Sequence, residues 1–134
     1  MMMNLPYVTA LYAALIGLLA AALTANVIRY RGKFAVAAGD GGNPLLAQAI
    51  RAHANLAENT PLTLLVIGFA EASGTPKLIV HVLGIVLVVA RLFSAFGLSA
   101  SLGDRLPRRI GAGLTILTLI AASVLILLRL ADVV

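Results

Sequence analysis

The stretch LPYVTALYAALIGLLAAALTANVI, residues 5–28, contains 24 residues and no charged side chain. A second uncharged run, of 19 residues, extends over 110–128. About 20 apolar residues in a helix are enough to cross the ~30 Å hydrocarbon core of a bilayer. Both runs therefore predict transmembrane helices. The first run is too long for a signal peptide and has no basic residue before it, so we expect it to be retained.

The composition of the whole chain agrees with an integral membrane protein. Of the 134 residues, 61% are hydrophobic and 11% are charged, and the mean hydropathy is +1.04. A soluble domain is about 25% charged, and a small one leaves much of its surface in water. These figures exclude a soluble enzyme and a disordered chain. The chain contains no cysteine, which excludes disulfides and thiolate metal sites. Its net charge of +5 comes without the basic runs typical of nucleic-acid binding, so we expect no nucleic-acid partner.

Two further segments are apolar but interrupted by polar residues, one from about 44 to 73 and the other from about 76 to 98. Turn-forming residues separate the segments, and short connections favour antiparallel neighbours. The sequence predicts one all-α domain over 1–134, an antiparallel four-helix bundle in the membrane. The predicted helices cover about 5–30, 45–72, 76–98 and 107–132.

The basic residues predict the orientation of the bundle. Cytoplasmic loops of membrane proteins carry an excess of Lys and Arg. The first and third loops are predicted to hold six basic residues, and the opposite side has two. The six are Arg29, Arg31, Lys33, Arg105, Arg108 and Arg109, and the two are Lys77 and Arg129. We therefore expect these connections in the cytoplasm and both termini outside the cell membrane.

Polar residues of the second segment share one helix face. At 100° per residue, Asn55 lies ~40° from Arg51, and Glu58 lies ~20° away on the other side. Glu58 and Arg91 each lie ~20 Å from the outer end of their helices by residue count, so they share a depth. Arg31 and Arg105 would lie at the cytoplasmic mouth. Ionisable residues at membrane depth indicate a functional site, here a pocket facing the cytoplasm.

The residue types indicate the ligand. Several guanidinium groups suit a molecule with more than one carboxylate or phosphate, and the single carboxylate suits an ammonium group. A structural interpretation stays open, in which Arg51, Asn55, Glu58 and Arg91 pair with one another to hold the helices together. We expect no metal site, because His53 and His81 fall toward opposite ends of the bundle.

The run RAHANLAENTP, residues 51–61, resembles the signature of the MAPEG family, the membrane-associated proteins in eicosanoid and glutathione metabolism. The family pattern places Arg, Asn, Glu and Pro at the spacing found here for Arg51, Asn55, Glu58 and Pro61. The resemblance extends over nearly the whole chain and is greatest to the short bacterial branch.

The resemblance implies a homotrimer that binds glutathione as a co-substrate between subunits, near the cytoplasmic side. By the same resemblance, Arg31, Arg51, Asn55, Glu58 and Arg91 would bind glutathione. Arg105 would be the catalytic residue that stabilises the thiolate, since only the thiolate is nucleophilic.

Three functional hypotheses follow. The first is glutathione transferase or peroxidase activity on a lipophilic electrophile that enters from the membrane lipid. The second is a binding or scaffold protein without catalysis, because the family's tyrosines correspond to Asn59 and to positions near Ser94 and Leu98. The third is a small four-helix transporter, although its first helix lacks the deep carboxylate that proton coupling needs.

Overall fold

Helices make up all the regular structure in the described part of the chain. A computed structural model describes residues 5–100 and 106–131. In chain order its helices are α1 (Tyr7–Phe34), α2 (Pro44–Asn59), α3 (Pro61–Ala72), α4 (Lys77–Ala100) and α5 (Leu106–Ala131). The all-α class predicted from the sequence is confirmed.

Three of these helices are long and apolar enough to cross a bilayer. They are α1, the Lys77–Leu98 part of α4, and α5, with 28, 22 and 26 residues. The helices α2 and α3 contain 16 and 12 residues, so neither reaches the ~20 residues that a crossing needs. Because they follow each other directly along the chain, we treat α2 and α3 together as the fourth crossing.

The predicted second helix, 45–72, is divided at Thr60. Pro61 has no N–H group, so it cannot donate to the carbonyl of Ala57 as a helix would require. The backbone at Thr60 stays near helical values, with φ −103° and ψ −40°, and its N–H still donates to the carbonyl of Leu56 at 3.2 Å. The missing bond alone would predict a bend at Pro61, and the structure has two successive helices there.

The first helix extends farther than predicted. It ends at Phe34, so the basic residues expected in the first loop, Arg29, Arg31 and Lys33, belong to its last turns instead. Cations in this position interact favourably with the negative end of the helix dipole. The cap residue that follows the helix, Ala35, has a left-handed φ of 55°.

Contacts between helix ends establish an up-and-down order. The Glu71 carboxylate at the end of α3 accepts from the N–H of Thr9 near the start of α1, at 2.7 Å. The hydroxyl of Tyr12 in α1 lies 2.8 Å from Nδ1 of His81 near the start of α4. Thus α1 is antiparallel to α3 and parallel to α4, while α5 packs against α3 and α4.

Glycines allow two close approaches in the bundle. The ring of Tyr12 lies directly against Gly84, where a Cβ atom would overlap it. A Cβ on Gly111 would lie 2.5 Å from the carbonyl oxygen of Ala90, so α5 packs tightly on α4 there.

The outer surface is apolar, and side chains such as Leu18, Leu78 and Phe96 are 70–75% exposed. This surface suits contact with lipid.

Candidate functional site

The second helix begins at a well-formed cap. Asn43 accepts hydrogen bonds through Oδ1 from the N–H groups of Leu45 and Leu46, at 3.0 and 3.2 Å. Pro44 occupies the first helical position, where its missing N–H costs nothing. The cap and the proline therefore fix the point at which α2 begins.

The polar face of α2 carries an exposed ion pair. Nη1 of Arg51 lies 3.7 Å from Oε1 of Glu58, and the two side chains are 49% and 56% exposed in the single chain. The residues are seven apart, which places them two turns apart on one face. The pair is therefore open to a ligand, to water or to another copy of the chain.

A second polar cluster surrounds Arg91, deeper in the bundle. Arg91 is 1% exposed, and its Nη1 donates to Oδ1 of Asn55 in α2 at 3.1 Å. Its Nη2 donates to the carbonyl of Gly111 at 3.1 Å, to the hydroxyl of Ser94 at 3.3 Å and to the hydroxyl of Thr115. The guanidinium thus joins α2, α4 and α5.

All of these partners of Arg91 are neutral. The Nε atom of the same guanidinium is buried and has no hydrogen-bond partner among residues 5–100 and 106–131. Within that part of the chain, the positive charge is held by amide, hydroxyl and carbonyl dipoles. An ionised group at membrane depth is costly, and the bonds of Arg91 to α2, α4 and α5 agree with the interhelical pairing that the structural interpretation predicts.

Arg31 is tied to the connection that follows α1. Its Nη1 donates to the carbonyl of Gly39 at 3.0 Å and contacts that of Val36 at 3.4 Å. The connection turns sharply, with positive φ values at Gly39, Gly41 and Gly42. Arg31 therefore holds the loop in front of α2, and no described contact joins it to Arg51 or Glu58.

The structure joins some of the predicted site residues and separates others. It pairs Arg51 with Glu58 and Arg91 with Asn55, and it places Arg31 with the loop. The predicted catalytic residue, Arg105, lies outside the described residues. Gly111 and Thr115 were not predicted as partners of Arg91. Their only signal in the sequence is that a small residue and a hydroxyl residue stand four positions apart in an apolar run.

The face of α2 away from the ion pair borders an apolar groove. The groove has a volume of about 250 Å³ and lies between α1 and the break in the second crossing. His53 and Thr60 contribute its polar lining, among small and aliphatic residues of α1 that include Gly17. His53 is thus directed away from the ion pair, as expected for a residue two positions from Arg51 on a helix.

Helices of this length, an apolar outer surface and charged residues at depth define a multi-pass helical membrane protein with an intramembrane polar site. The chain belongs to the MAPEG family, whose sequence model matches residues 9–128. The resemblance seen in the second helix is therefore confirmed.

The chain is also similar to inner membrane protein YecN of Escherichia coli. It is 41% identical to YecN of strain K12 over 90 residues, which cover 67% of this chain and 69% of that protein. The same figures hold for YecN of Escherichia coli O6:H1, strain CFT073. Together with its apolar helices, this similarity identifies the chain as a multi-pass inner membrane protein.

Proposed function

We propose that the protein binds glutathione on the polar face of α2 and uses its thiol against lipophilic electrophiles or hydroperoxides. The observation that carries this proposal is the half-exposed Arg51–Glu58 pair on the polar face of α2. By residue count Glu58 lies ~20 Å from the outer end of its crossing, within the ~30 Å hydrocarbon core. Charged groups facing lipid cost several kcal/mol. Water, a polar ligand or a neighbouring subunit must therefore cover this pair.

The charges on α2 suit the groups of glutathione, which has two carboxylates, one ammonium group and a thiol. Arg51 would bind a carboxylate through two parallel hydrogen bonds, and Glu58 would accept from the ammonium group. An exposed ion pair contributes only about 0–1 kcal/mol. The pair can consequently separate around a zwitterionic ligand at little cost.

Arg31 would bind the second carboxylate from the cytoplasmic mouth. Its present bonds to the carbonyls of Gly39 and Val36 hold the guanidinium in the loop. A carboxylate is a stronger acceptor than a carbonyl because it is charged. Ligand binding would thus rearrange the loop between α1 and α2.

The thiol of glutathione supplies the nucleophile when it is ionised. Arg105 would stabilise the thiolate, as the family resemblance implies, because a nearby cation in a poorly hydrated site favours the anion. The lipophilic co-substrate would reach the site from the bilayer. We further propose that three copies assemble, with the half-exposed face of α2 covered at the subunit interface.

A specific observation favours a second candidate, a protein that binds without catalysis. At the position where many relatives have tyrosine, Nδ2 of Asn59 donates to the main-chain carbonyl of Asn55 at 2.9 Å. Ser94 is buried against Arg91, and Leu98 is buried in the core. None of these three side chains has the phenol group with which the tyrosines of the relatives can bind a ligand.

Glutathione titration into the detergent-solubilised protein tests the proposal. We expect binding at millimolar concentration or below, and a clear loss in Arg51→Gln. Arg129→Gln is the matched control, because it removes the same charge at the other end of the bundle. Absence of heat change in the unmodified protein at millimolar glutathione would refute the proposal.

Ultraviolet difference spectra of bound glutathione separate the two candidates. A catalytic site is expected to show thiolate absorbance at neutral pH that disappears in Arg105→Ala. A binding or scaffold protein would retain the titration heat without thiolate absorbance in either variant.

A further inference from the structure

We propose that Arg91 is a positioning residue, which orients the amide of Asn55 so that Nδ2 faces the ligand site as a hydrogen-bond donor. The group of the ligand that meets Asn55 is then an acceptor, such as a carboxylate or carbonyl oxygen. This inference rests on the proposed function. It specifies that the site selects a hydrogen-bond acceptor at the position of Asn55.

The orientation of the amide follows from the chemistry of arginine. A guanidinium carries N–H groups only and cannot accept a hydrogen bond. The atom of Asn55 that lies 3.1 Å from Nη1 of Arg91 must therefore be the oxygen, Oδ1. Nδ2 then points to the other side of the amide.

The guanidinium cannot readily turn away from Asn55. It is 1% exposed, and its Nη2 is bonded to Ser94, to Gly111 and to Thr115. Two of these partners lie on α5 and one lies on α4 itself. Because several groups hold the guanidinium, the amide of Asn55 is held in a single orientation.

The donor face of Asn55 is available. Asn55 is half-buried, and its Nδ2 has no acceptor among the described residues, yet it is not among the fully buried atoms that lack a partner. Nδ2 of the neighbouring Asn59 donates to the main-chain carbonyl of Asn55 and not to its side-chain amide. On α2, Asn55 lies on the same face as Arg51 and Glu58 by helical spacing, and between them along the chain.

Burial also separates the role of Arg91 from that of Arg51. A side chain that is 1% exposed cannot reach a ligand bound on the surface of α2. The sequence predicts Arg91 as a glutathione-binding residue; by this inference its contribution passes through Asn55.

Asn55→Asp tests the orientation in the full-length protein with glutathione as the probe. The new carboxylate can still accept from Arg91, so the fold should be as stable as before. It replaces the donor Nδ2 with an acceptor, so glutathione affinity should fall by about tenfold or more. Asn26→Asp is the matched control, because Oδ1 of Asn26 also accepts from an arginine, Arg29, at 2.9 Å. That variant should bind within about threefold of the unmodified protein.

The role of Arg91 is tested by Arg91→Lys and Arg91→Gln. Lysine only donates and keeps Oδ1 of Asn55 engaged, whereas glutamine can also accept and lets the amide turn over. We expect Arg91→Lys to retain more affinity than Arg91→Gln when both are compared at equal fractions folded. If the glutathione affinity of the two variants changes only in proportion to their thermal stability, Arg91 has a structural role alone and the proposal is overturned.

The remaining outcomes are also decisive. If the unmodified protein binds glutathione and Asn55→Asp binds it equally well, the inference is wrong while the proposed function stands. If Asn55→Asp does not fold, the comparison of Arg91→Lys with Arg91→Gln decides the inference. If the unmodified protein does not bind glutathione, the proposed function fails first.

Discussion

Oε2 of Glu71 accepts two hydrogen bonds from Thr9, one from the N–H and one from the hydroxyl, each at 2.7 Å. Its Oε1 accepts from the N–H of Val8 at 2.9 Å. The residue before α1 is Pro6, which provides no side-chain cap, so the first N–H groups of α1 would otherwise lack partners. A buried carboxylate from the end of α3 thus caps α1 and faces the positive end of its dipole.

Glu71→Ala should lower the free energy of unfolding by about 2–4 kcal/mol. The substitution leaves buried N–H groups of α1 without acceptors, and bonds to charged groups contribute about 1.5–3 kcal/mol each. Thr9→Val removes only the hydroxyl bond and should cost about 1 kcal/mol. Reversible unfolding in mixed detergent micelles measures both variants. Equal losses in the two would contradict the capping role of the carboxylate.

Two glycines of α5 provide a matched test of packing. A Cβ on Gly111 would meet the carbonyl of Ala90 and the side chain of Ser94, whereas one on Gly113 would meet nothing within 4 Å. Gly111→Ala should therefore destabilise the bundle by about 1–3 kcal/mol through overpacking. Gly113→Ala should be neutral or stabilising by up to about 1 kcal/mol, since alanine favours the helix. The same unfolding assay applies, and a stable Gly111→Ala protein would show that α4 and α5 can separate.

Hydropathy made the crossings predictable. Uncharged runs such as 5–28 and 110–128 leave few alternatives to membrane helices, and α1 and α5 contain them almost entirely. The division of the second helix at Thr60 was harder to predict. Pro61 indicates a disturbance, but whether a helix bends or restarts depends on how its neighbours pack.

The site was predictable only in part, for a physical reason. Helical spacing is enough to place Arg51, Asn55 and Glu58 on one face. Which groups surround Arg91 depends on the rotation of α4 relative to α5, and periodicity does not determine that rotation. Likewise, the bonds of Arg31 to the loop depend on left-handed backbone conformations that the residue types allow but do not require.

The orientation of the chain can be measured because it contains no native cysteine. A single cysteine is then a unique label site. Ala38→Cys, in the exposed connection before α2, should react with a membrane-impermeant maleimide only after the cells are opened. Pro76→Cys, exposed before α4, should react in intact spheroplasts. The opposite pattern would place both termini in the cytoplasm and contradict the charge asymmetry.

Exchanging the charges of the exposed pair separates a structural role from a binding role. In the double variant Arg51→Glu, Glu58→Arg, the ion pair can re-form with its members interchanged. Because exposed pairs contribute about 0–1 kcal/mol, we expect its stability to stay within about 1 kcal/mol of the unmodified protein.

Glutathione binding should nevertheless be lost in this double variant, by about tenfold or more. The carboxylate of glutathione would meet a carboxylate at position 51, and its ammonium group would meet a guanidinium at position 58, so like charges replace both charge-assisted bonds. Calorimetric titration and unfolding of the same preparation give the two quantities together. Full binding in the exchanged protein would show that the pair only connects two turns of α2 and that glutathione binds elsewhere in the bundle.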